Sequence, residues 1–402
     1  MHEQDRTLVP GAGRALILIC LGIICAMTPW FSATAILPEL RASWQMSPMV
    51  SAFMTGAVQV GFVIGALGIA ITNLADIVSS VRLMVTGALL AGLCTAAVGM
   101  VDTAHLAIVL RLLTGMALAM VYPPAMKLAT TWFIRGRGLA LGLVIGGLTT
   151  GSALPHLLRA GGTDLDWRMV MTGAALIALL GAILFARLHE GPFAHARTRF
   201  DPRQLGQVLR DRPVMLTNIG YFGHMWELYA MWTWLLAWMQ TALMAQEGII
   251  DRQLASLIVF VVVASGVGGA ILGGVLADRQ GRARTVIGMM ALSALCAGLM
   301  GVVHDGPMWL LLPVAILWGI TVIGDSAQFS AMLAERARGE LVGTALSLQM
   351  ALGFMITLVS IQLLPWLAEL LGGWRWVFML LVPGPVIGII AILRLQRLER
   401  RG

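Results

Sequence analysis

The chain has 402 residues, 58% hydrophobic and 12% charged, which excludes a soluble globular protein, where about half the residues are apolar and about a quarter charged. At about 20 apolar residues per bilayer-spanning helix, the length is taken up by spans, which excludes an attached soluble catalytic domain. The formal charge of +7 sits on basic residues scattered between apolar runs rather than on one face, so it reads as a topology signal and not as a nucleic-acid footprint.

Twelve apolar segments follow in chain order, at 14–37, 47–71, 81–101, 104–132, 138–159, 168–188, 213–241, 253–277, 285–304, 307–333, 341–371 and 375–395. The first is too long for a signal peptide and has no small-residue cleavage site, so it is expected to be retained. With the N-terminus cytoplasmic, twenty of the 27 Lys and Arg residues fall on the cytoplasmic side, five (Arg41, Arg159, Arg168, Arg252, Arg375) on the other, and Arg111 and Lys127 inside segment 4. Both termini are therefore expected in the cytoplasm. The expected divisions are a bundle of six helices over 1–188, a basic linker over 189–212 lying on the anionic leaflet, and a second six-helix bundle over 213–402. Cys20, Cys25, Cys94 and Cys296 lie in apolar runs without metal-ligand spacing, so neither disulfide, metal nor cofactor is expected.

An internal repeat divides the chain in the same way. Arg135-Gly-Arg137-Gly138 after segment 4 returns as Arg336-Ala-Arg338-Gly339 after segment 10, 201 residues later. Leu74-Ala75-Asp76 returns as Leu276-Ala277-Asp278, an offset of 202, and Trp167-Arg168 returns as Trp374-Arg375, an offset of 207.

The stretch Gly274-Val275-Leu276-Ala277-Asp278-Arg279-Gln280-Gly281-Arg282 resembles the G-x-L-a-D-R-x-G-R loop signature of the major facilitator superfamily. Its first-half counterpart, Thr72 to Arg82, keeps the Asp and an Arg but has neither glycine. Arg111-Leu-Leu-Thr-Gly115 is similar to the family's R-x-x-x-G pattern in the fourth helix. The resemblance implies an all-α polytopic membrane protein of twelve helices in two pseudo-symmetric bundles around a cavity, rocking to give alternating access. It implies that Asp76, Asp278, Arg279 and Arg282 act as gate residues. The glycines of segment 5 (Gly138, Gly142, Gly146, Gly147, Gly151) suit close helix packing; the segment is similar to the family's antiporter motif but lacks its central Gly-Pro.

Four charged residues lie within spans: Arg111 and Lys127 in segment 4, Glu227 in segment 7 and Asp325 in segment 10. Charge inside a bilayer is costly and marks a pathway or a partner, and the resemblance implies that segments 1, 4, 7 and 10 line the cavity. Glu227 sits mid-span with His224 three residues earlier on the same helical face, and imidazole exchanges protons near neutral pH. Glu227, His224 and Asp325 are the expected proton-coupling residues, the alternative being fixed pairing with Arg111 or Lys127. Arg111 and Lys127 are sixteen positions apart, about 160° around a straight helix, so both face one cavity only if Tyr122-Pro123-Pro124 bends it.

The expected substrate-cavity residues are Arg111, Lys127, Tyr122, Trp226, Tyr229, Gln328, Trp30 and Gln59. Segment 7 concentrates seven of the 28 aromatic residues, rings suited to stacking on a planar or cationic substrate. The expected function is a secondary transporter, proton-coupled, moving a small organic molecule across the cytoplasmic (inner) membrane of a bacterium as a monomer. A transporter-like sensor or assembly factor is the competing class. No P-loop, metal cluster or nucleophile with its base is present to make the chain an enzyme.

Overall fold

The computed structural model describes residues 9–133, 136–162, 166–193, 201–248 and 250–400. Arg135, Arg197 and Arg199 lie outside them, as does the side chain of Asp76. Among the described residues every regular element is helical: α1 (Ala12–Met27), α2 (Ser32–Ala35), α3 (Leu37–Trp44), α4 (Pro48–Ile71), α5 (Leu74–Ile77), α6 (Ser80–Val98), α7 (Ala104–Ala119), α8 (Tyr122–Trp132), α9 (Arg137–Ala160) and α10 (Trp167–Phe185), then α11 (Leu205–Arg210), α12 (Arg212–Glu247), α13 (Arg252–Ala264), α14 (Gly266–Gln280), α15 (Arg282–Val303), α16 (Met308–Gly324), α17 (Ser326–Arg336), α18 (Val342–Leu370) and α19 (Pro383–Glu399).

Among the described residues ten helices, counting bent pairs as one, are long and apolar enough to cross a bilayer, and they coincide with segments 2–6 and 8–12. The other two segments differ from a simple span. Segment 1 breaks: Pro29 has no N–H and its ring clashes with the preceding turn, so α1 stops at Met27 and the chain resumes as α2 and α3. Segment 7 instead extends into the 36-residue α12, about 54 Å at 1.5 Å per residue. The bend expected in segment 4 falls at Met120–Val121, with Pro123 and Pro124 in the first turn of α8, where a missing N–H is harmless. Segment 10 bends at Asp325, and segment 8 at Ser265, whose hydroxyl donates to the Val262 carbonyl at 2.7 Å.

Short acidic and hydroxyl side chains start the helices. Asp166, Asp211 and Asp251 cap α10, α12 and α13, accepting backbone N–H groups at 2.9, 3.2 and 2.9 Å and placing negative charge at the positive end of the helix dipole. The repeated loops reach similar turns by different chemistry. Gly281 takes φ +90°, a conformation open to glycine, whereas Ser79 at the equivalent place caps α6 through its hydroxyl.

In the first half α1 packs on α9 and α10, and α4 on α7; in the second α12 packs on α18 and α19, and α14 on α16. The halves meet where α4 lies against α18 and α9 against α13 and α14. Glycines set the closest crossings. A Cβ on Gly115 would stand 2.0 Å from the Val58 carbonyl, and one on Gly273 1.7 Å from that of Gly324. Of the segment 5 glycines, now in α9, Gly147 and Gly151 admit the α1 backbone and Gly146 faces Val267 of α14, whereas Gly138 meets nothing within 4 Å. Large apolar side chains such as Leu93, Val302, Trp309 and Val359 cover the outer surface, far more than a water-facing monomer exposes. Within the described part of the linker, Val208 of α11 packs with Leu333, Leu341 and Ala345.

Candidate functional site

Among the described residues, cavities lie between the halves at opposite ends of the helices. The first, of about 390 Å³, is lined by α4, α8 and α18 through Phe62, Leu67, Met126, Lys127, Thr130, Met350 and Phe354, and reaches the surface at Asn73. The second, of about 420 Å³, lies at the far end among Thr34, Arg41, Ser51, Thr233, Gln240 and Trp374. Both fall in the size range of small-molecule sites.

Between them stands a partition of six rings from both halves. Trp30 and Phe31 come from the break after α1, Phe62 from α4, Tyr229 and Trp232 from α12, and Phe354 from α18. Trp30 lies 5.1 Å from Phe62, 5.7 Å from Tyr229 and 5.8 Å from Phe354. Phe31 stacks near Tyr229 and meets Trp232 edge-on at 5.7 Å, while Phe62 and Phe354 close to 4.7 Å at the floor of the first cavity. These centroid separations are those of favourable aromatic pairs.

The α1 break that supplies two of these rings also frees backbone carbonyls, and Arg111 takes them up. Fully buried, its guanidinium donates to the Pro29 carbonyl at 2.6 Å, to Ser32 Oγ at 3.1 Å and to the Trp30 carbonyl. Irregular backbone at membrane depth persists where such donors satisfy it. Thr34 and Thr55 share a hydroxyl hydrogen bond of 2.9 Å, and one turn further along α4 is Gln59, fully buried, with neither amide atom bonded.

The expected proton-coupling residues gather within the second half, against α15, α16 and α17. Glu227 Oε1 accepts the Ser293 hydroxyl at 2.8 Å and the Trp318 indole N–H at 2.6 Å. His224 Nδ1 lies 2.9 Å from Asp325 Oδ1, close but without a ring N–H aligned on that oxygen, and its Nε2 meets Ser326 Oγ at 3.0 Å. All three titratable groups are 2–3% exposed, so the bend at Asp325 carries a closed polar cluster in apolar surroundings.

At the end of the helices that bears the repeated loops, Arg282 donates to Glu335 at 2.8 Å and to Gln328 Oε1 at 2.9 Å, tying the α14–α15 turn to α17. Asp278 and Arg279 are exposed at the end of α14. At the opposite end Glu39 of α3 pairs with Arg159 of α9 at 2.7 Å and lies 4.0 Å from Arg252 of α13, so one carboxylate stands between an arginine of each half.

Of the residues expected at the cavity, Lys127 lines the first one, its Nζ donating to the Ala75 carbonyl at 2.8 Å. Tyr122 is half-buried at the start of α8 beside the lining residues Pro123 and Pro124. Trp30, Tyr229 and Gln59 belong to the partition region. Three others stand elsewhere. Trp226 points to the α19 side, where its indole donates to the Leu380 carbonyl at 2.9 Å; Gln328 is held by Arg282; and Arg111 is held by the α1 break. Phe62, Phe354, Ser293, Trp318, Glu39 and Arg159 were not among the residues expected at the site. An isolated Phe, Ser or Trp in an apolar run carries no signal.

The family model described as Major Facilitator Superfamily matches residues 19–323 and 228–402. The chain belongs to the major facilitator superfamily. It is thus a multi-pass membrane protein of a family of transporters, not of enzymes. It is similar to the MFS-type transporter pytF of Aspergillus terreus, 28% identical over 174 residues, which are 42% of this chain and 56% of that protein. It is also similar to the agnestins efflux protein AgnL12 of Paecilomyces divaricatus, 27% identical over 190 residues, which are 46% of this chain and 41% of that one. The chain thus spans about half the length of the curated relatives it matches, and both are fungal, which lends nothing to the bacterial origin expected from composition. Among solved structures it shares its fold with a bacterial homologue of the lysosomal transporter Spinster in an inward-facing, unoccupied conformation, with TM-score 0.71, 14% identity and coverage of 96% of this chain and 97% of that one. The xylose transporter XylE of E. coli, in a partially occluded inward-open conformation, gives TM-score 0.71, 12% identity and coverage of 96% and 99%.

Proposed function

We propose that this transporter is a proton-coupled secondary carrier of a small organic molecule, working by alternating access between two six-helix halves, 1–188 and 213–402, with twelve crossings and both termini cytoplasmic. The observation that carries the reading is the aromatic partition between two end-opening cavities: a seal with a chamber on each side is what a rocking mechanism needs at its midpoint. On this reading the first cavity faces the cytoplasm, and the Glu39 pair holds the outer side shut. The basic-residue count supports that orientation.

Glu227, His224 and Asp325 are the proposed proton carriers, because ionisable groups buried at membrane depth can change charge when the packing around them opens. Asp76, Asp278, Arg279 and Arg282 are the proposed cytoplasmic gate, Arg282 acting through Gln328 and Glu335. Lys127 and Tyr122 are proposed to border the substrate path, and Arg111 to hold the α1 break that shapes it. The monomer is the proposed working unit. The efflux activity named for the Paecilomyces relative favours export driven by proton entry.

The test is flux in proteoliposomes under an imposed pH gradient, comparing wild type with Glu227→Gln across organic anions, neutral compounds and amphiphilic cations. The expected result is gradient-driven movement by wild type and exchange alone by the variant. Gradient-driven transport retained by Glu227→Gln removes the proton role of that residue. Absence of any flux, exchange included, across the panel favours the sensor or assembly reading.

A further inference from the structure

Indole nitrogens divide this structure into two classes. Trp226, Trp234, Trp238 and Trp318 each donate to a carbonyl or carboxylate at 2.6–3.3 Å. Among the described residues, the only buried indole N–H groups without an acceptor are those of Trp30 and Trp232, and both rings belong to the partition. The Gln59 amide is likewise unbonded at both ends, and contacts fix its place. Thr55, one turn before it, touches Thr34, and Phe62, three residues after it, packs on Trp30, so Gln59 lies on the face of α4 turned to the α1 break.

Leaving a buried donor or amide unbonded costs about 1–3 kcal/mol each, and native proteins keep few such groups. Four unbonded polar atoms in one ring cluster, while the indoles of Trp234, Trp238 and Trp318 are paired, form a hydrogen-bonding set with no internal partner. Nor does burial explain why the rings gather here, since lipid tails solvate apolar side chains as well as a protein core does. Stacking surface is what the cluster adds. Its electrostatics are one-sided: the buried Arg111 guanidinium lies behind the Trp30 backbone with no carboxylate among its partners, which favours electron-rich oxygen.

We infer that the partition is itself the substrate platform, and that the substrate class is a planar aromatic molecule bearing a carbonyl-type acceptor, whether carboxylate, amide or ketone. Its ring inserts among Trp30, Tyr229 and Phe354, its oxygen accepts the indole N–H groups of Trp30 and Trp232, and Gln59 bonds the same or a neighbouring polar substituent. Opening either cavity toward the partition then exposes the platform to one side at a time. The inference rests on the transport reading and deepens it by naming what is carried.

The test is direct binding to the purified full-length protein in detergent, by calorimetry, of 2-naphthoate, 2-naphthamide and 2-acetonaphthone against decalin-2-carboxylate and an alkylammonium of equal size. The variants are Trp30→Phe, which keeps a ring and removes the N–H, Trp232→Phe, Gln59→Leu, and Trp226→Phe as a control outside the partition. Expected is binding of the three naphthyl compounds, weakened about tenfold or more by either partition tryptophan change and by Gln59→Leu, and unaltered by Trp226→Phe. Equal or better binding of decalin-2-carboxylate or the alkylammonium overturns the substrate class while leaving transport intact. Naphthyl binding that survives all three partition variants, each shown folded by its unfolding temperature, overturns the location. Binding as expected with neither gradient-driven flux nor exchange in liposomes supports the class and sinks the transport reading instead.

Discussion

Glu227 of α12 and Trp318 of α16 are joined by an indole N–H donated to the carboxylate at 2.6 Å, a bond that pins the two helices together beside the Asp325 bend. Trp318 is fully buried, so its nitrogen has no solvent to fall back on.

Removing that donor separates structure from coupling. Trp318→Phe leaves Glu227 with the Ser293 hydroxyl alone among its two donors, and the loss should cost about 1–3 kcal/mol, read as a lower unfolding temperature in detergent. Glu227→Gln keeps an acceptor oxygen for both donors and should unfold within a few degrees of wild type while losing gradient-driven flux. Equal destabilisation by the two variants would show that charge at Glu227, not the bond, holds the helices.

Arg111 holds the α1 break through three acceptors, two of them backbone carbonyls. Arg111→Ala should destabilise by about 3 kcal/mol or more, since each bond to a charged group contributes about 1.5–3 kcal/mol. Arg111→Lys should recover little, because an ammonium cannot reproduce the planar fork. The check is the unfolding temperature of both variants; full recovery by Lys would mean that charge alone suffices.

Adjacent glycines in the loop-signature helix make opposite predictions. A Cβ at Gly273 meets the Gly324 carbonyl at 1.7 Å, whereas at Gly274 it meets nothing within 4 Å. Gly273→Ala should therefore force α14 and α16 apart and reduce folded yield sharply. Gly274→Ala should be neutral or stabilising by up to about 1 kcal/mol. Folded yield by size exclusion distinguishes them.

Glu39 links arginines of both halves at the end remote from the termini. Glu39→Gln removes the charge from that contact and should shift the population toward opening on this side. With Cys20, Cys25, Cys94 and Cys296 replaced by serine, a cysteine at Gln240 in the second cavity should react several-fold faster with an impermeant maleimide in the Glu39→Gln background. An unchanged rate would show that the contact does not bias the equilibrium.

The sequence was informative wherever membrane physics penalises the wrong residue. Charge is costly at depth, so Arg111, Lys127, Glu227 and Asp325 stood out, and Glu227, His224 and Asp325 do come together in one cluster. Proline cannot continue a helix, so the α7–α8 bend was readable from Pro123-Pro124. The bends at Ser265 and Asp325 were not, because no proline marks them and they depend on packing against neighbouring helices. Trp226 and Tyr229 looked equivalent in sequence, three residues apart; α19 claims one and the partition the other.

The sequence by itself determined the apolar spans, the basic asymmetry of the loops, the internal repeat and the family, since each follows from composition, period or a local motif. Tertiary structure alone decided which side chains meet. The six rings of the partition come from positions between 30 and 354 with no common spacing, and Glu39 finds its arginines 120 and 213 residues away in sequence. Lipid imposes apolarity on every helix face it touches, so an apolar run cannot say which face turns inward; only the crossings set by Gly61, Gly115, Gly269 and Gly273 fix that rotation and so choose the partners.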